Sequence, residues 1–502
     1  MTDSLAAPRA DLKPNTLAYE TTPLVKATGF REYDARWIFG PEINLLGIQA
    51  LGLGLGTLIR EAGRTPRIVV GHDFRSYSTS IKQALTIGLM TAGVEVNDIG
   101  LVLSPVAYFA QFALDIPAVA MVTASHNENG WTGVKMGYDR PLTFGPDEMG
   151  RLKEIVLRGE GRPHSGGAYK WVGGLRERYL DDLASAGTIQ RKLKVIAACG
   201  NGTAGAFAPE ALARLGVEVV PMDAELDHSF PKYNPNPEDM AMLHAMQRAV
   251  KKHGADLALG FDGDGDRCGV VDDEGEEIFA DKIGVLIARD LSALNPGAQF
   301  VVDVKSTGLF LTDPVLQRNG AQTVYWKTGH SYIKRKSHEL GALAGFEKSG
   351  HFFFNKPVGR GYDDGLVAAI ALLKMLDRNP DNKLSDLRKS LPRTWQSPTM
   401  SPKCPDEAKY GVVEKIVAEI EARVRRGDKI IGQNIRDVVT VNGVRITAED
   451  GTWGLIRASS NKPELVVVVE SPTSEANMRA MFEDLDKVLR QHKEVGAYNQ
   501  KI

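Results

Sequence analysis

From about residue 65 to residue 360, short β-branched runs alternate with stretches of helical periodicity: Arg67-Ile-Val-Val-Gly71, Lys194-Val-Ile-Ala197, Phe300-Val-Val-Asp303 and Thr323-Val-Tyr-Trp326. This alternation predicts α/β layers. Beyond Leu391 the pattern changes. A helix is expected over Asp406 to Arg426, then a hairpin turned by Asn442-Gly443, strands at Gly454 to Ala458 and Leu465 to Glu470, and a closing helix from Ser474 to His492. Asn-Gly between alternating apolar residues is a strong hairpin signal, so this part reads as a smaller α+β domain with an antiparallel sheet. The chain of 502 residues is too long for one core. A Gly/Pro/Ser-rich seam at Gly159 to Gly167, the turn Asp273-Glu-Gly275 and a break near Asn379 to Leu391 suggest domains over 1–165, 166–278, 279–391 and 392–502.

Composition narrows the function. A net charge of −2 argues against a dedicated nucleic-acid or anionic-membrane surface, so any anion site must be local. Cys199, Cys268 and Cys404 are scattered, with no CxxC spacing for zinc or redox chemistry, which suits a reducing cytoplasm. The N-terminal segment is polar, carries Pro8 and Pro14, and does not read as a secretory signal. The longest apolar stretch, Ile43 to Ile59, is interrupted by Asn44, Gln49 and glycines, and reads as a buried helix rather than a membrane span.

The run Asp262-Gly-Asp264-Gly-Asp266-Arg267 lies between two strand-like segments, Leu257 to Phe261 and Gly269 to Val271. Three carboxylates at alternate positions can converge on one hard cation while the glycines let the backbone curl, a donor set that suits Mg²⁺ with a position left for another oxygen. An EF-hand does not fit, because Arg267 and Asp273 stand where that loop needs Gly and Glu. A solvated acidic turn is the bland alternative; it would hold like charges together with nothing to neutralise them.

Ser125, in Thr123-Ala-Ser-His-Asn127, follows the apolar strand Ala118 to Val122, where ligands of open α/β sheets bind. Without a G-x-S-x-G elbow it is a poor fit to a hydrolase triad. Gly345-Phe-Glu-Lys-Ser-Gly-His351 offers a carboxylate, a hydroxyl and an imidazole of the kind that hold sugar hydroxyls, and Arg457-Ala-Ser-Ser-Asn-Lys-Pro463 suits bidentate phosphate binding. Each of these alone is also an ordinary polar turn. Gly200-Asn-Gly202-Thr-Ala-Gly205, with Asp223 beyond it, satisfies the dinucleotide fingerprint and supports a second reading as an NAD-dependent oxidoreductase. That reading leaves the other loops without a task. A third reading keeps the pocket without the catalysis, as a phosphosugar-binding protein.

Taken in order, the motifs resemble the α-D-phosphohexomutase superfamily, most closely its bacterial phosphomannomutase/phosphoglucomutase branch, over about Phe30 to Glu470. The resemblance implies three consecutive α/β domains with mixed sheets and a C-terminal α+β domain around a central cleft, one motif coming from each. It implies interconversion of hexose 1-phosphate and hexose 6-phosphate through a hexose 1,6-bisphosphate, with Ser125 phosphorylated and Asp262, Asp264, Asp266 and the phosphoserine holding Mg²⁺. Lys135 falls at the family's general-base position, and burial and neighbouring cations are expected to lower its pKa. Arg267 follows the metal loop into the site; Lys305, His330, Tyr33 and Arg36 match further site positions. Glu347, Ser349 and His351 are the implied sugar contacts, and Arg457, Ser459, Ser460 and Asn461 the implied phosphate contacts. Trp37 replaces the family's usual Gly, and the last loop reads RASSNKP rather than RxSNTxP, so Ser460 and Asn461 carry over only as a polar pair. The implied partner is a phosphosugar, with neither nucleic acid nor membrane, and a monomer is expected, with a dimer as the alternative.

Overall fold

The computed structural model describes residues 7–502, which divide into two compact units: residues up to Ala280 with Ser349–Ser385, and Asp281–Lys348 with Asp386–Ile502. The chain leaves the second unit between Lys348 and Ser349, inside the Gly345 to His351 motif.

The first unit holds two mixed sheets. In the six-stranded one, Arg67–His72 lies parallel to Glu95–Leu101 and Ala118–Val122, and the hairpin strand Trp131–Gly137 returns antiparallel to Ala118–Val122 and pairs with Ala35–Ile38. Its core is packed by the helix Leu45–Glu61, which realises the apolar stretch read from the sequence. Asn44, counted there as an interruption, is the helix N-cap, accepting from Gly47 N–H at 2.8 Å. That helix meets Ser78–Thr91 closely enough that a Cβ on Gly88 would lie 2.1 Å from the Gln49 carbonyl oxygen. In the five-stranded sheet, Lys194–Ala198 runs parallel to Glu218–Met222 and Leu257–Phe261, and Cys268–Asp272 returns antiparallel to Leu257–Phe261 with Phe261 opposite Cys268. The residues from Asp262 to Arg267 are therefore the whole connection between two buried strands.

In the second unit Gln299–Asp303 lies parallel to Gln322–Trp326 and Ala344–Phe346. The C-terminal sheet is antiparallel, in the order Trp395–Gln396, Leu465–Ser471, Trp453–Ala458, Val444–Ala448, Ile435–Val439, with Asn442-Gly443 at the expected turn. One face packs on the helices Lys409–Arg426 and Glu475–Leu489; the other packs Trp453, Leu455, Val466 and Val468 on Val304. The first of these helices begins three residues later than expected, because Ala408 N–H and Lys409 N–H both turn back to the Pro405 carbonyl.

Glu470 ties this sheet to the loop after Asp303. Its buried carboxylate accepts from Lys282 Nζ (2.7 Å), Thr307 Oγ1 (2.8 Å), Gly308 N–H (2.8 Å), Thr394 Oγ1 (2.7 Å) and Trp453 Nε1 (2.8 Å). Burial alone would raise its pKa, but Lys282 and the donors outweigh that and hold it at about 2. A carboxylate depressed in the fold stabilises above its unfolded pKa and loses that contribution as pH falls through the folded value. Here the loss runs from about pH 4.5 to about pH 2 and is worth on the order of 3 kcal/mol. Glu470→Gln should melt lower than wild type at pH 7 and lose less on acidification across that window in thermal scans. Parallel wild-type and variant curves would contradict this.

Candidate active site

The first unit assembles its polar residues around the Asp262 to Arg267 loop. Carbonyls of three successive loop residues are held from outside: Thr203 N–H donates to Gly263 (3.0 Å), Ser104 N–H to Asp264 (3.0 Å) and Gly365 N–H to Gly265 (3.1 Å). With the backbone oxygens so engaged, the three side chains gather: single carboxylate oxygens of Asp262, Asp264 and Asp266 lie within 4.8 Å of one another, all fully buried. Gly263 passes the Ser125 loop so closely that a Cβ there would come to 2.5 Å from the Ser125 carbonyl, and Gly265 has φ +75°.

Asp262 Oδ1 accepts from the N–H groups of Asp266 (3.1 Å) and Arg267 (3.3 Å), while its Oδ2 accepts from Ser125 Oγ at 3.0 Å. Asp264 Oδ2 accepts from Ser104 Oγ (2.6 Å) and Lys135 Nζ (2.7 Å), and Lys135 also donates to Asp266 Oδ2. Burial, with Asp266 and Asp264 alongside, pushes the Asp262 carboxyl up to about 8. For Asp264, burial is outweighed by Lys135 and Ser104, which hold it well below the usual carboxylate range. Asp264 Oδ1 and Asp266 Oδ1 are buried and accept no hydrogen bond. An all-oxygen set with crowded negative charge and two such oxygens fits a hard divalent cation.

Lys135 departs from expectation. Burial does work to deprotonate it, but Asp264 and Asp266 outweigh burial and raise its pKa well above the ordinary lysine value. Its near neighbours are anions, not the cations expected. It sits on Trp131–Gly137 opposite Met121, one strand from the Ser125 loop.

Ser125 is 1% exposed and adopts φ +52°, a left-handed conformation that costs a non-glycine residue roughly 1–2 kcal/mol. Arg267 Nε donates to His351 Nε2 at 2.9 Å, so the ring proton of His351 sits on Nδ1, which faces Asp363 (3.2 Å) and Asp266 (3.6 Å). Arg36 is paired with Asp34 at 2.9 Å and donates to Asn127 Oδ1 at 3.1 Å; Tyr33 is buried beside it in sequence. Ser349 belongs to this unit as well.

The remaining candidates lie in the second unit. Asp303 gathers Ser306 Oγ (2.5 Å), Thr328 Oγ1 (3.0 Å) and Lys348 N–H (3.3 Å), with Lys305 Nζ at 3.9 Å. Glu347 Oε1 accepts from Gly329 N–H at 2.5 Å, and buried His330 opens the helix His330–Leu340. Arg457 donates from Nε to Asn442 Oδ1 (2.7 Å) and from Nη2 to Ser460 Oγ (3.1 Å), while Ser459 Oγ accepts from Lys462 N–H (3.2 Å) and half-buried Asn461 lies between.

Several supporting residues were not read from the sequence. Asn442 serves its hairpin and also orients Arg457. Arg445 stacks 3.6 Å from the Trp453 ring centroid and donates to the carbonyls of Val304 (2.8 Å) and Ser306 (2.7 Å), on either side of Lys305. Arg75 donates to the carbonyls of Ser125 (3.0 Å) and Asn127 (2.6 Å). The one available signal for Arg75 was its place, with Asp73, just past the strand end at His72.

The dinucleotide reading of Gly200 to Gly205 is overturned. The segment passes through the short 3₁₀ turn Thr203–Ala206 before the helix Ala208–Arg214 begins, and its Thr203 N–H donates to the Gly263 carbonyl. A Cβ on Gly205 would meet the Ala224 carbonyl oxygen at 2.0 Å, and Asp223 is bound by Lys232 and Tyr233. The glycines allow close packing beneath the acidic loop.

A buried all-oxygen loop facing a serine hydroxyl, on α/β sheets, defines an enzyme site for phosphate chemistry. The sequence profiles for phosphoglucomutase/phosphomannomutase α/β/α domains I, II and III and its C-terminal domain match residues 27–162, 177–275, 279–395 and 403–488. A phosphomannomutase/phosphoglucomutase of Pseudomonas syringae is 35% identical over 451 residues, 90% of this chain and 93% of that protein. A phosphoglucomutase of Neisseria gonorrhoeae is 32% identical over 450 residues, 89% and 94% of the two chains. Among solved structures, a phosphoglucomutase/phosphomannomutase family protein of Burkholderia thailandensis superposes with TM-score 0.83 at 29% identity, covering 95% of this chain and 100% of that one. The chain belongs to the phosphoglucomutase/phosphomannomutase family and is an isomerase. Among the described residues no helix is long and apolar enough to cross a membrane.

If the acidic loop holds the cation, Mg²⁺ at one hundred times its dissociation constant should stabilise the protein by about 2.7 kcal/mol. The melting midpoint should rise accordingly, and Asp264→Asn should remove the rise. An unchanged wild-type midpoint in millimolar Mg²⁺, or an undiminished shift in the variant, would refute the assignment.

Proposed function

We propose that the chain interconverts hexose 1-phosphates and hexose 6-phosphates of mannose and glucose, in the cytoplasm and as a monomer, with Ser125 carrying the phosphoryl group. The observation that carries this reading is the 3.0 Å contact of Ser125 Oγ with the buried acidic loop, in a chain of this family. In the first half-reaction the sugar's free hydroxyl oxygen bonds to phosphorus and the bond to Ser125 Oγ breaks, giving hexose 1,6-bisphosphate. After the sugar turns over, Ser125 Oγ attacks the other phosphate and the opposite monophosphate leaves.

Asp262, Asp264 and Asp266 would hold Mg²⁺, with an oxygen of the phosphorylated Ser125 as a further ligand; when bound, the cation supplies positive charge against the transferring group. Arg267, fixed through His351 and Asp363, faces the same loop and adds charge. Lys135 keeps its proton while it bridges Asp264 and Asp266; it is assigned to take the proton of the attacking hydroxyl, and to return it in the second half-reaction, once a cation bound at those carboxylates would have released it from them. In the second unit, Arg457, Ser459, Ser460 and Asn461 grip the distal phosphate and Lys305 and His330 contact the substrate; in the first unit, Tyr33, Arg36 and His351 are further substrate contacts.

A substrate bound in two opposite orientations is held by groups that look alike after reversal, and in a hexose these are the 3- and 4-hydroxyls. We assign Glu347 and Ser349 to that pair. Mannose and glucose differ at C2, so their 1-phosphates should compete for one site with catalytic efficiencies within about two orders of magnitude. N-acetylglucosamine 1-phosphate, bulky at C2, should be poorer than either. Initial rates with the three substrates test this, and Glu347→Ala should depress both hexose reactions alike. A variant that lost mannose turnover and kept glucose turnover would exclude an orientation-blind anchor. Ser125→Ala should lose nearly all activity, and full activity in that variant would exclude the serine as carrier.

A further inference from the structure

Ser125 must donate a phosphoryl group in one half-reaction and accept one in the other from the same place, so its loop must not drift. Yet the serine has φ +52° and lies in a turn with no regular strand or helix to hold it. What holds the turn is a set of side chains aimed at its backbone. Thr123 Oγ1 accepts from Ser125 N–H at 2.9 Å, Asn234 Nδ2 donates to the His126 carbonyl, and one nitrogen of Arg75 donates to the carbonyls of Ser125 (3.0 Å) and Asn127 (2.6 Å).

Arg75 is itself immobilised. Its other terminal nitrogen donates to Asp73 Oδ2, its backbone N–H donates to Asp73 Oδ1 at 3.2 Å, and Ser78 Oγ donates to the same oxygen at 2.5 Å. The guanidinium lies 5.6 Å from the Phe230 ring centroid, and Arg75 is 2% and Asp73 0% exposed. With its charge balanced by Asp73 and its donors directed to backbone carbonyls, Arg75 acts on geometry rather than on the phosphate's charge.

We propose that Arg75, oriented by Asp73 and Ser78, is a positioning residue that clamps the carbonyls on either side of His126 and so keeps Ser125 Oγ aimed at the acidic loop through both half-reactions. This rests on Ser125 being the phosphoryl carrier. A planar fork is needed because one end must face Asp73 while the other spans two carbonyls, which the point ammonium of lysine does not do. Displacements of about 1 Å at a reacting atom can cost on the order of 100-fold in rate.

The test uses full-length wild type, Arg75→Lys, Asp73→Asn and Ser78→Ala. Three measurements are made: kcat and KM with glucose 1-phosphate, the rate at which glucose 1,6-bisphosphate phosphorylates Ser125 (intact-protein and peptide mass spectrometry), and circular dichroism. Arg75→Lys should fold, keep KM within about threefold and lose roughly 10–100-fold in kcat, with Ser125 phosphorylation slowed by the same factor. Asp73→Asn should fall in the same direction, and Ser78→Ala should do so more weakly; the latter carries the test if Arg75→Lys does not fold. A folded Arg75→Lys with wild-type kcat and phosphorylation rate, or a loss confined to KM, would overturn the clamp while leaving the reaction intact. A wild type whose Ser125 takes no phosphate would overturn the assigned reaction and the clamp together.

Discussion

Three carboxylates buried in one connection between two strands are the constraint around which the first unit is organised. At 0% exposure none of them faces bulk solvent, so their mutual repulsion has to be answered by positive charge or by a proton. Lys135 answers it from the neighbouring sheet, Arg267 follows from the loop's own end, and the Asp262 carboxyl is raised to about 8. The loop keeps its shape because Thr203, Ser104 and Gly365, from three separate segments, each take one of its backbone carbonyls. The acidic loop is thus a meeting point for segments far apart in sequence, and the serine turn is one of them.

The same device recurs in the second unit. Arg75 spans the carbonyls around His126, and Arg445, stacked on Trp453, spans the carbonyls around Lys305. In both places a buried arginine orders a turn that regular secondary structure does not. An irregular segment has no ladder to satisfy its carbonyls, so side chains must do it. Glu470 completes the second case by accepting Gly308 N–H and Thr307 Oγ1 just beyond Lys305.

Periodicity carried the elements well. The β-branched runs at Arg67, Lys194, Phe300 and Thr323 are strands, and Asn442-Gly443 turns the C-terminal hairpin. The acidic loop was legible because its chemistry is local: alternate aspartates between two strands leave little else to form. The Gly200 turn offered a false alternative because a glycine pattern records only that something comes close; in this fold the close groups are the Ala224 and Gly263 backbones, not a pyrophosphate. The environment of Lys135 was misjudged because burial can be guessed from position in a strand, whereas the identity of partners more than a hundred residues away cannot. Arg75, Arg445 and the contact by which Asn442 orients Arg457 went unread for a related reason. Each acts on backbone or on one distant side chain, and such contacts leave no spacing in the sequence.

The central proposal is that the acidic loop and Ser125 share one divalent cation, at carboxylates two of which Lys135 bridges in this structure. Crystals of the full chain soaked in Mn²⁺, measured for anomalous scattering, test it directly. The account predicts one peak among the carboxylates of Asp262, Asp264 and Asp266, on the side of Ser125 Oγ, with Lys135 Nζ moved off at least one aspartate. No peak there, or a peak between Asp266, His351 and Asp363 with Lys135 still bridging Asp264 and Asp266, would contradict it.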